Sequence, residues 1–501
     1  MPGNWSSRGL DLHLEVDTAG GRRAGLERAL REAVRDGRLA PGSPLPSTRE
    51  LAGELGLSRG TVTAAYDQLA AEGYLTARQG AVTRVADLPA PVPAPARPAP
   101  GTAAPQHDLR PGRPDVAAFP AAAWSRSTRR VLTTAPADIH GLSDPQGRAE
   151  LRTALAGYLG RTRGVLTGPD RIVITSGSYQ SFGLLARVLA ESGTTAVAME
   201  DPGHEAYREV VRRAGLTVLP LPVDRHGARA DALTGVLAGR GSGAPGAVVV
   251  TPAHQYPTGA PLHPRRRHEL CAWARASGGL VIEDDYDGEY RYDRRPVGAL
   301  QGIAPDRVVY CGSASKSLGP GLRLGWMALP SDLVGPVVEA KFQADLHTGA
   351  LGQLVLADLI TRHDYDRHIR AGRLRYRRRR DLLVRRLGPG PRQPLPGLVL
   401  HGVAAGLHTL ITLPDDGPAE PEVLAECERR GIALRGLSEL WHDRADAHAD
   451  LRSHLNGDLH GGLHGDAQGV LVGYAAASEH AYPAALEAFA GALGAARRVT
   501  G

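Results

Sequence analysis

The sequence predicts an α/β protein in which a small helical head precedes a larger body built on a mostly parallel central sheet. Three observations lead there. Short apolar helical stripes with strong N-caps occupy residues 24–73, a proline and alanine run fills residues 88–105, and from His107 onward apolar strand-like runs alternate with amphipathic helical stretches.

A chain of 501 residues can form several domains, each with its own core. A hydrophobic share of 42% with 22% charged residues fits a globular protein, and no stretch approaches the roughly 18 to 20 apolar residues of a membrane span. The start, MPGNWSSRGLDLHLEVD, lacks the apolar core of a signal peptide, so a cytoplasmic protein is expected. Cys271, Cys311 and Cys427 are odd in number and show no metal-ligand spacing; neither a disulfide framework nor a metal site is expected. The net charge of +6 says little about nucleic acid, because residues 1–85 hold 11 arginines against 10 acids, a balance of +1. Any such partner must be argued from where the charges sit.

In GLERALREAVRDG, Leu26, Leu30 and Val34 recur every four residues beside Ala29 and Ala33, which predicts one amphipathic helix. Ser47-Thr48-Arg49-Glu50 reads as a capping box opening a second helix that Gly56 closes, and Ser58 caps a third whose buried face is Val62, Tyr66 and Leu69. Two short capped helices across a glycine turn are a helix-turn-helix signature. The start of the later helix of such a pair meets base edges, which makes Ser58, Arg59, Thr61 and Thr63 candidate DNA contacts, with Arg49 reaching a phosphate or a guanine. YLTARQGAVTRV predicts a hairpin wing with Gly80 in its turn. The whole stretch GRLAPGSPLPSTRELAGELGLSRGTVTAAYDQLAAEGYL resembles the winged helix-turn-helix of GntR-type bacterial regulators; the wing departs from it, with Gly80-Ala81-Val82-Thr83 in place of Gly-x-Gly-Thr.

LPAPVPAPARPAPGTAAP carries seven prolines and predicts an extended spacer that reaches roughly 55 Å at about 3.1 Å per residue. The boundaries are thus a head over 1–86, a linker over 87–106 and a body over 107–501. Within the body, RIVIT, TAVAME, GAVVVTP, GLVIED, RVVYCG and RLGWMAL read as buried strands separated by helices, the pattern of a sheet covered on both faces. Ligands of such sheets sit at the C-terminal ends of the strands.

Each motif of interest follows one of those strands. TSGSYQSF places Gly177, Ser178 and Tyr179 at a strand-to-helix turn suited to an anion. VIEDDYDGEY puts Asp284 at a strand end, where a buried carboxylate can hold a pyridine nitrogen protonated, and Tyr286 two residues on can donate to a ring oxygen. SASKSLGPGLR holds Lys316 between Ser313, Ser315 and Arg323. Only two of the 59 basic residues are lysines, Lys316 and Lys341, leaving 57 arginines. Arginine keeps its proton and forms no imine, so Lys316 is a candidate Schiff-base lysine, whereas Lys341 in VVEAKFQADL reads as a surface residue. A phosphate, a pyridinium nitrogen, a ring oxygen and an aldehyde together specify pyridoxal 5'-phosphate.

From about residue 109 onward the chain resembles fold-type-I aminotransferases, and with its head it is similar to the MocR/GabR subfamily of regulators; DLRPGRPD, GLSDPQGRAELRTALAGYLGRTRGV, EDPG, TPAHQYPTG and GVAAGLH also match. The resemblance implies a PLP-dependent aminotransferase-like fold with a smaller subdomain from about residue 380. It also implies Lys316 on the cofactor's aldehyde, Asp284 at the pyridine nitrogen, Tyr286 at the ring oxygen, and Ser178, Ser313 and Arg323 at the phosphate, with Tyr179 on the same loop and His204 after EDPG. Two departures from the enzymes matter: Tyr256 stands where they carry asparagine, and Ala476 falls about where they carry a carboxylate-binding arginine, for which Arg208 is a possible substitute. The expectation is therefore a transcriptional regulator that binds operator DNA and senses an amine, an amino acid or the cofactor itself. By resemblance it is a head-to-tail homodimer. A working aminotransferase with a DNA-binding head is the alternative.

Two segments are set aside. His442, His448, His454, His460 and His464 recur without sharing a helical face and read as a polar insertion, and RHIRAGRLRYRRRRDLLVRR reads as a long helix with its arginines outward.

Overall fold

A computed structural model describes residues 20–77, 81–88, 105–235, 237–238, 243–292, 297–391, 393–442 and 467–500, together with Leu14 and Val16. Gly80, most of the proline run, and His448 to His464 lie outside the described residues. The chain forms two compact units, Met1–Ala103 and Ala104–Gly501.

In the head, α1 (Arg22–Arg35), α2 (Thr48–Leu55) and α3 (Arg59–Ala71) are followed by β1 (Leu75–Thr76) and β2 (Arg84–Val85), which pair antiparallel. The apolar stripes meet in one core of Leu26, Leu30, Leu51, Val62, Tyr66 and Leu69. Both halves of the capping box form: Glu50 N–H donates to Ser47 Oγ at 3.3 Å and Ser47 N–H to Glu50 Oε2 at 3.0 Å. Gly56 ends α2 at φ 60°, and Ser58 Oγ accepts the Thr61 N–H at 3.1 Å. These caps fix where α3 begins. Replacing such a cap by alanine costs about 1 kcal/mol.

The body starts with β3 (His107–Asp108), α4 (Ala121–Thr134) and α5 (Ala149–Arg163). Next come β4 (Ile172–Thr175), α6 (Ser178–Glu191), β5 (Ala196–Asp201), α7 (Glu205–Arg213), β6 (Thr217–Asp224), β7 (Gly227–Ala228) and α8 (Asp231–Thr234). Then follow β8 (Ala247–Val250), α9 (Pro264–Ser277), β9 (Leu280–Asp284), β10 (Val308–Ser313), β11 (Gly325–Ala328), α10 (Ser331–Asp345), α11 (Ala350–Thr361) and α12 (Asp364–Leu387). The chain closes with β12 (Val399–Leu400), β13 (His408–Thr412), α13 (Glu420–Arg429), β14 (Ile432–Ala433), β15 (Arg435–Gly436), β16 (Gly469–Gly473) and α14 (Tyr482–Thr500).

Eight strands form one sheet in the order β4-β11-β10-β9-β8-β5-β6-β7, and β12-β13-β16-β15 form a smaller one. The large sheet is parallel from β10 through β6; β11 runs antiparallel to both of its neighbours. Alternate residues feed opposite faces: Ala247 and Val249 of β8 enter one core with Val197, Met199 and Ile282, while Val248 and Val250 enter another with Ala196, Ala198 and Val281. Burying one such valine contributes about 1.5 to 3 kcal/mol. This two-sided burial gives the strands continuous apolar runs.

Three readings need correction or completion. The strand β6 went unrecognised because Pro220 and Pro222 interrupt TVLPLPVD. Both share one parity, and Pro222 O accepts the Arg229 N–H at 2.8 Å, so the missing donors face away from β5, where proline is tolerated. Lys341, expected at the surface, is 0% exposed; Asp345, one turn on, takes its ammonium at 2.6 Å. The arginines of α12 do not all face outward: Arg379 is buried and pairs with Asp115 at 2.7 Å.

Candidate functional site

Sheet register assembles the body's site. Thr175, the last residue of β4, pairs with Gly325, which pairs across β11 with Ser313, the last residue of β10. A side chain at Gly325 would come within 2.8 Å of Gly177 Cα, so only glycine lets this strand meet the turn beyond β4. Gly177 has φ 109°, and a Cβ there would sit 3.1 Å from an Arg323 nitrogen. Gly177, Ser178, Ser313 and Arg323, far apart in sequence, thus gather beside the N-terminus of α6. The first N–H groups of that helix have no intrahelical acceptor, which together with the exposed guanidinium makes a candidate anion cradle.

Tyr207, hydrogen-bonded to Ser178, links this turn to a cavity lined by Asp284, Tyr286, His204 and Lys316, and also by Gly112, Glu200, Tyr207, Tyr256 and Arg435; Gly177, Ser178, Ser313 and Arg323 are not among its lining residues. Asp284 closes β9 and is paired with Cys311 of β10, five residues before Lys316. Its carboxyl is buried, Oδ1 has no hydrogen-bond partner among the described residues, and burial with the nearby Asp285 pushes its pKa up to about 8. A buried acid so placed is completed by a cationic N–H. Lys316 Nζ donates to Gly112 O at 2.6 Å, and its pKa is lowered, chiefly by burial, against the pull of Asp284 and Asp287. That shift favours the neutral, nucleophilic amine.

The remaining groups are aromatic or hydrogen-bonded in networks. His204 stacks on Tyr207 at 4.2 Å and 16°, and burial lowers its pKa to about 4, which keeps the ring neutral. Tyr286 Oη and Asp287 Oδ2 each lie 3.0 Å from His254 Nδ1, so the tyrosine that faces the cavity is braced from behind by a buried His–Asp pair. A ring nitrogen of His254, a carboxylate oxygen of Asp287 and a ring nitrogen of His408 lie within 4.8 Å of one another. Asp285, although beside Asp284 in sequence, is used elsewhere: Arg163 and Tyr310 donate to it at 2.6 and 2.7 Å.

Some expected residues stand apart. Tyr179 does not line the cavity; it is 50% exposed and lies edge-on to Tyr207 at 5.4 Å. Arg208 is 2% exposed and donates to the carbonyls of Glu200 and Leu440 at 3.1 and 2.8 Å, so it supports backbone and does not reach a ligand. The guanidinium that does line the cavity is Arg435 on β15, paired with Glu205 at 2.6 Å and Glu439 at 3.2 Å. Sequence reasoning missed it because a two-residue strand carries no periodic signal. It also missed Gly112, in DLRPGRPD, and His254, in TPAHQYPTG, which pairs with Asp287 of VIEDDYDGEY; nothing local marks a carbonyl or an imidazole as part of the site. His442 is buried, with its N–H on Asp201 Oδ1 at 2.8 Å.

In the head, Arg49 is exposed in the first turn of α2; at the start of α3, Ser58, Arg59 and Thr63 are exposed and Thr61 is half-buried. Thr61 Oγ1 lies 2.8 Å from Ser58 Oγ, and Thr63 Oγ1 donates to Arg59 O at 3.0 Å, so these hydroxyls are held against the helix.

Comparison with known proteins decides the family. Residues 23–85 match bacterial regulatory proteins of the gntR family, and residues 108–397 match aminotransferases of class I and II. The chain is 34% identical to the HTH-type pyridoxine biosynthesis transcriptional regulator PdxR of Corynebacterium glutamicum over 83% of its length and 88% of that protein's. The chain belongs to the MocR/GabR subfamily of GntR-type transcriptional regulators. Another such relative, the probable rhizopine catabolism regulatory protein MocR of Rhizobium meliloti, is 33% identical over 72% of this chain and 76% of its own. Among solved structures, a multiple substrate aminotransferase from Thermococcus profundus matches with a TM-score of 0.67 at 22% identity, over 80% of this chain and 93% of that one. The body of this MocR-type regulator therefore has the aminotransferase fold. Among the described residues no helix is long and apolar enough to cross a membrane.

Proposed function

We propose that this regulator binds operator DNA through α3 and its cap, and that its body holds pyridoxal 5'-phosphate as the signal-reading group. The observation that carries the second half is the buried, unpartnered Asp284 Oδ1 in the same cavity as a lysine whose amine is biased towards neutrality. Bound there, the cofactor would supply an aldehyde that condenses reversibly with amines. Lys316 would bind that aldehyde, Asp284 would hold a proton at the pyridine nitrogen, and Tyr286, braced by His254, would donate to the ring oxygen. Gly177, Ser178, Ser313 and Arg323 would hold the phosphate, and His204 would cover the ring face. Because the Asp284 carboxyl alone is pushed up to about 8, a pyridinium partner returns it to the charged form and gains an ion pair shielded from water.

The signal is an amine, an amino acid or the cofactor itself. That one relative is named for pyridoxine biosynthesis supports the cofactor as signal. A head-to-tail homodimer would present two heads to paired half-sites. The test is fluorescence anisotropy of full-length protein on DNA flanking its own gene, with and without pyridoxal 5'-phosphate. Ligand-dependent, salt-sensitive binding is expected; equal affinity in both states would remove the sensing role, and no preference over unrelated DNA would remove the regulatory one.

A further inference from the structure

A second lysine in a chain with 57 arginines needs its own account, and its place in the fold supplies one. Lys341 lies near the end of α10 with its side chain 0% exposed. Its Nζ donates to Asp345 Oδ1 at 2.6 Å, and the other oxygen of that carboxylate accepts Gln180 Nε2, also at 2.6 Å. Gln180 is in the first turn of α6, and its Oε1 accepts the Ser176 N–H at 2.7 Å. Ser176 is the residue before Gly177. A continuous chain of polar contacts thus runs from a buried ammonium to the turn that forms the anion cradle.

The direction of each bond is fixed by the ends. A carboxylate only accepts, so Gln180 must turn its amide N–H towards Asp345 and its oxygen towards Ser176. Asp345 sits in the last turn of α10, where the helix dipole disfavours an acid, and a lysine four residues before an acid is the weaker order for helix stability. The pair therefore does not serve the helix. Burying the ammonium carries a desolvation penalty that a surface pair avoids. The link to Gln180 is what the pair provides.

We infer that Lys341 is a positioning residue for the phosphate-binding turn: through Asp345 and Gln180 it fixes the Ser176 N–H and so the approach of Gly177 and Ser178 to the anion. This rests on the reading of that turn as the cofactor's phosphate site. A lysine rather than an arginine suits the position because a compact point charge fits a fully buried slot beside one carboxylate oxygen.

The test is absorbance titration of full-length protein with pyridoxal 5'-phosphate and, separately, with pyridoxal, which lacks the phosphate. Lys341→Met should weaken binding of the phosphorylated ligand about tenfold, the size of one lost charge-assisted hydrogen bond, and leave pyridoxal unchanged. Equal weakening of both, or of neither, overturns the inference, since a merely structural role does not distinguish them. Should Lys341→Met fail to fold, Gln180→Leu cuts the same chain at a half-buried residue; it must change the ratio of the two affinities in the same sense, and an unchanged ratio is equally fatal. Arg323→Ala separates this inference from its premise. If that variant leaves the ratio unchanged, the phosphate site itself is misplaced; if it lowers the ratio and Lys341→Met does not, only the role of Lys341 falls.

Discussion

The head and the body carry their candidate recognition groups in opposite ways. In the head, Arg49 to Thr63 span two adjacent helices, and the groups that orient them, Ser47, Glu50, Gly56 and Ser58, lie in the same stretch of sequence. In the body, the site draws on residues from Gly112 to Arg435: the register of β4, β11, β10 and β9 sets Thr175, Gly325, Ser313 and Asp284 in place, and Arg435 comes from β15 of the smaller sheet. Local order writes one site, long-range pairing the other. A change in the head should therefore act on one helix start, while a change in the body should propagate along buried hydrogen bonds.

The largest effect that sharpens this contrast is expected at Asp284. Asp284→Ala removes the proposed charged partner of the ring nitrogen and should weaken pyridoxal 5'-phosphate by about tenfold to a hundredfold in an absorbance titration, the range for a hydrogen bond to a charged group. Unchanged cofactor affinity would mean that the buried acid faces something else. Next is Arg59→Ala, which should lower operator affinity by about 1 to 3 kcal/mol if it reads a base edge, with the cofactor titration unmoved. A uniform loss across DNA sequences would instead make Arg59 a phosphate contact.

A pH series probes the body alone. Asp284 binds its proton more tightly folded than unfolded, so its contribution to stability is fullest below the unfolded value of 3.8 and is lost as pH rises towards about 8. Comparing thermal melting of cofactor-free wild type and Asp284→Asn at pH 5 and pH 9, the wild type should lose more. An equal loss in both would place the titration elsewhere. The smallest effect should be Ser47→Ala, about 1 kcal/mol, seen as faster hydrogen exchange in α2 and absent from the large sheet. Spread of that change into the body would break the contrast.

The same contrast explains what the sequence revealed. Caps and periodic stripes are local, so α1 to α3 and their core were legible from spacing, as were the six apolar runs that became β4, β5, β8, β9, β10 and β11. Residues at the ends of those strands or within three residues beyond them, Gly177, Asp284 and Lys316, could be nominated because a parallel sheet places its strand ends together. Arg435, Gly112 and His254 could not, since Arg435 sits on a two-residue strand and the other two in irregular segments, all placed only by the completed fold. Lys341 was misjudged for a related reason: the exposure expected of a lysine gives way when Asp345 and Gln180 provide buried partners, and that partnership is visible only in three dimensions.

The proposed function depends above all on the amine of Lys316 holding the cofactor. Full-length protein loaded with pyridoxal 5'-phosphate, reduced with borohydride and digested, offers two lysine side chains for the added mass, Lys316 and Lys341. The label is expected on the peptide containing Lys316; a label on the Lys341 peptide, or none in protein that has taken up the cofactor, would rule out Lys316 as the attachment point.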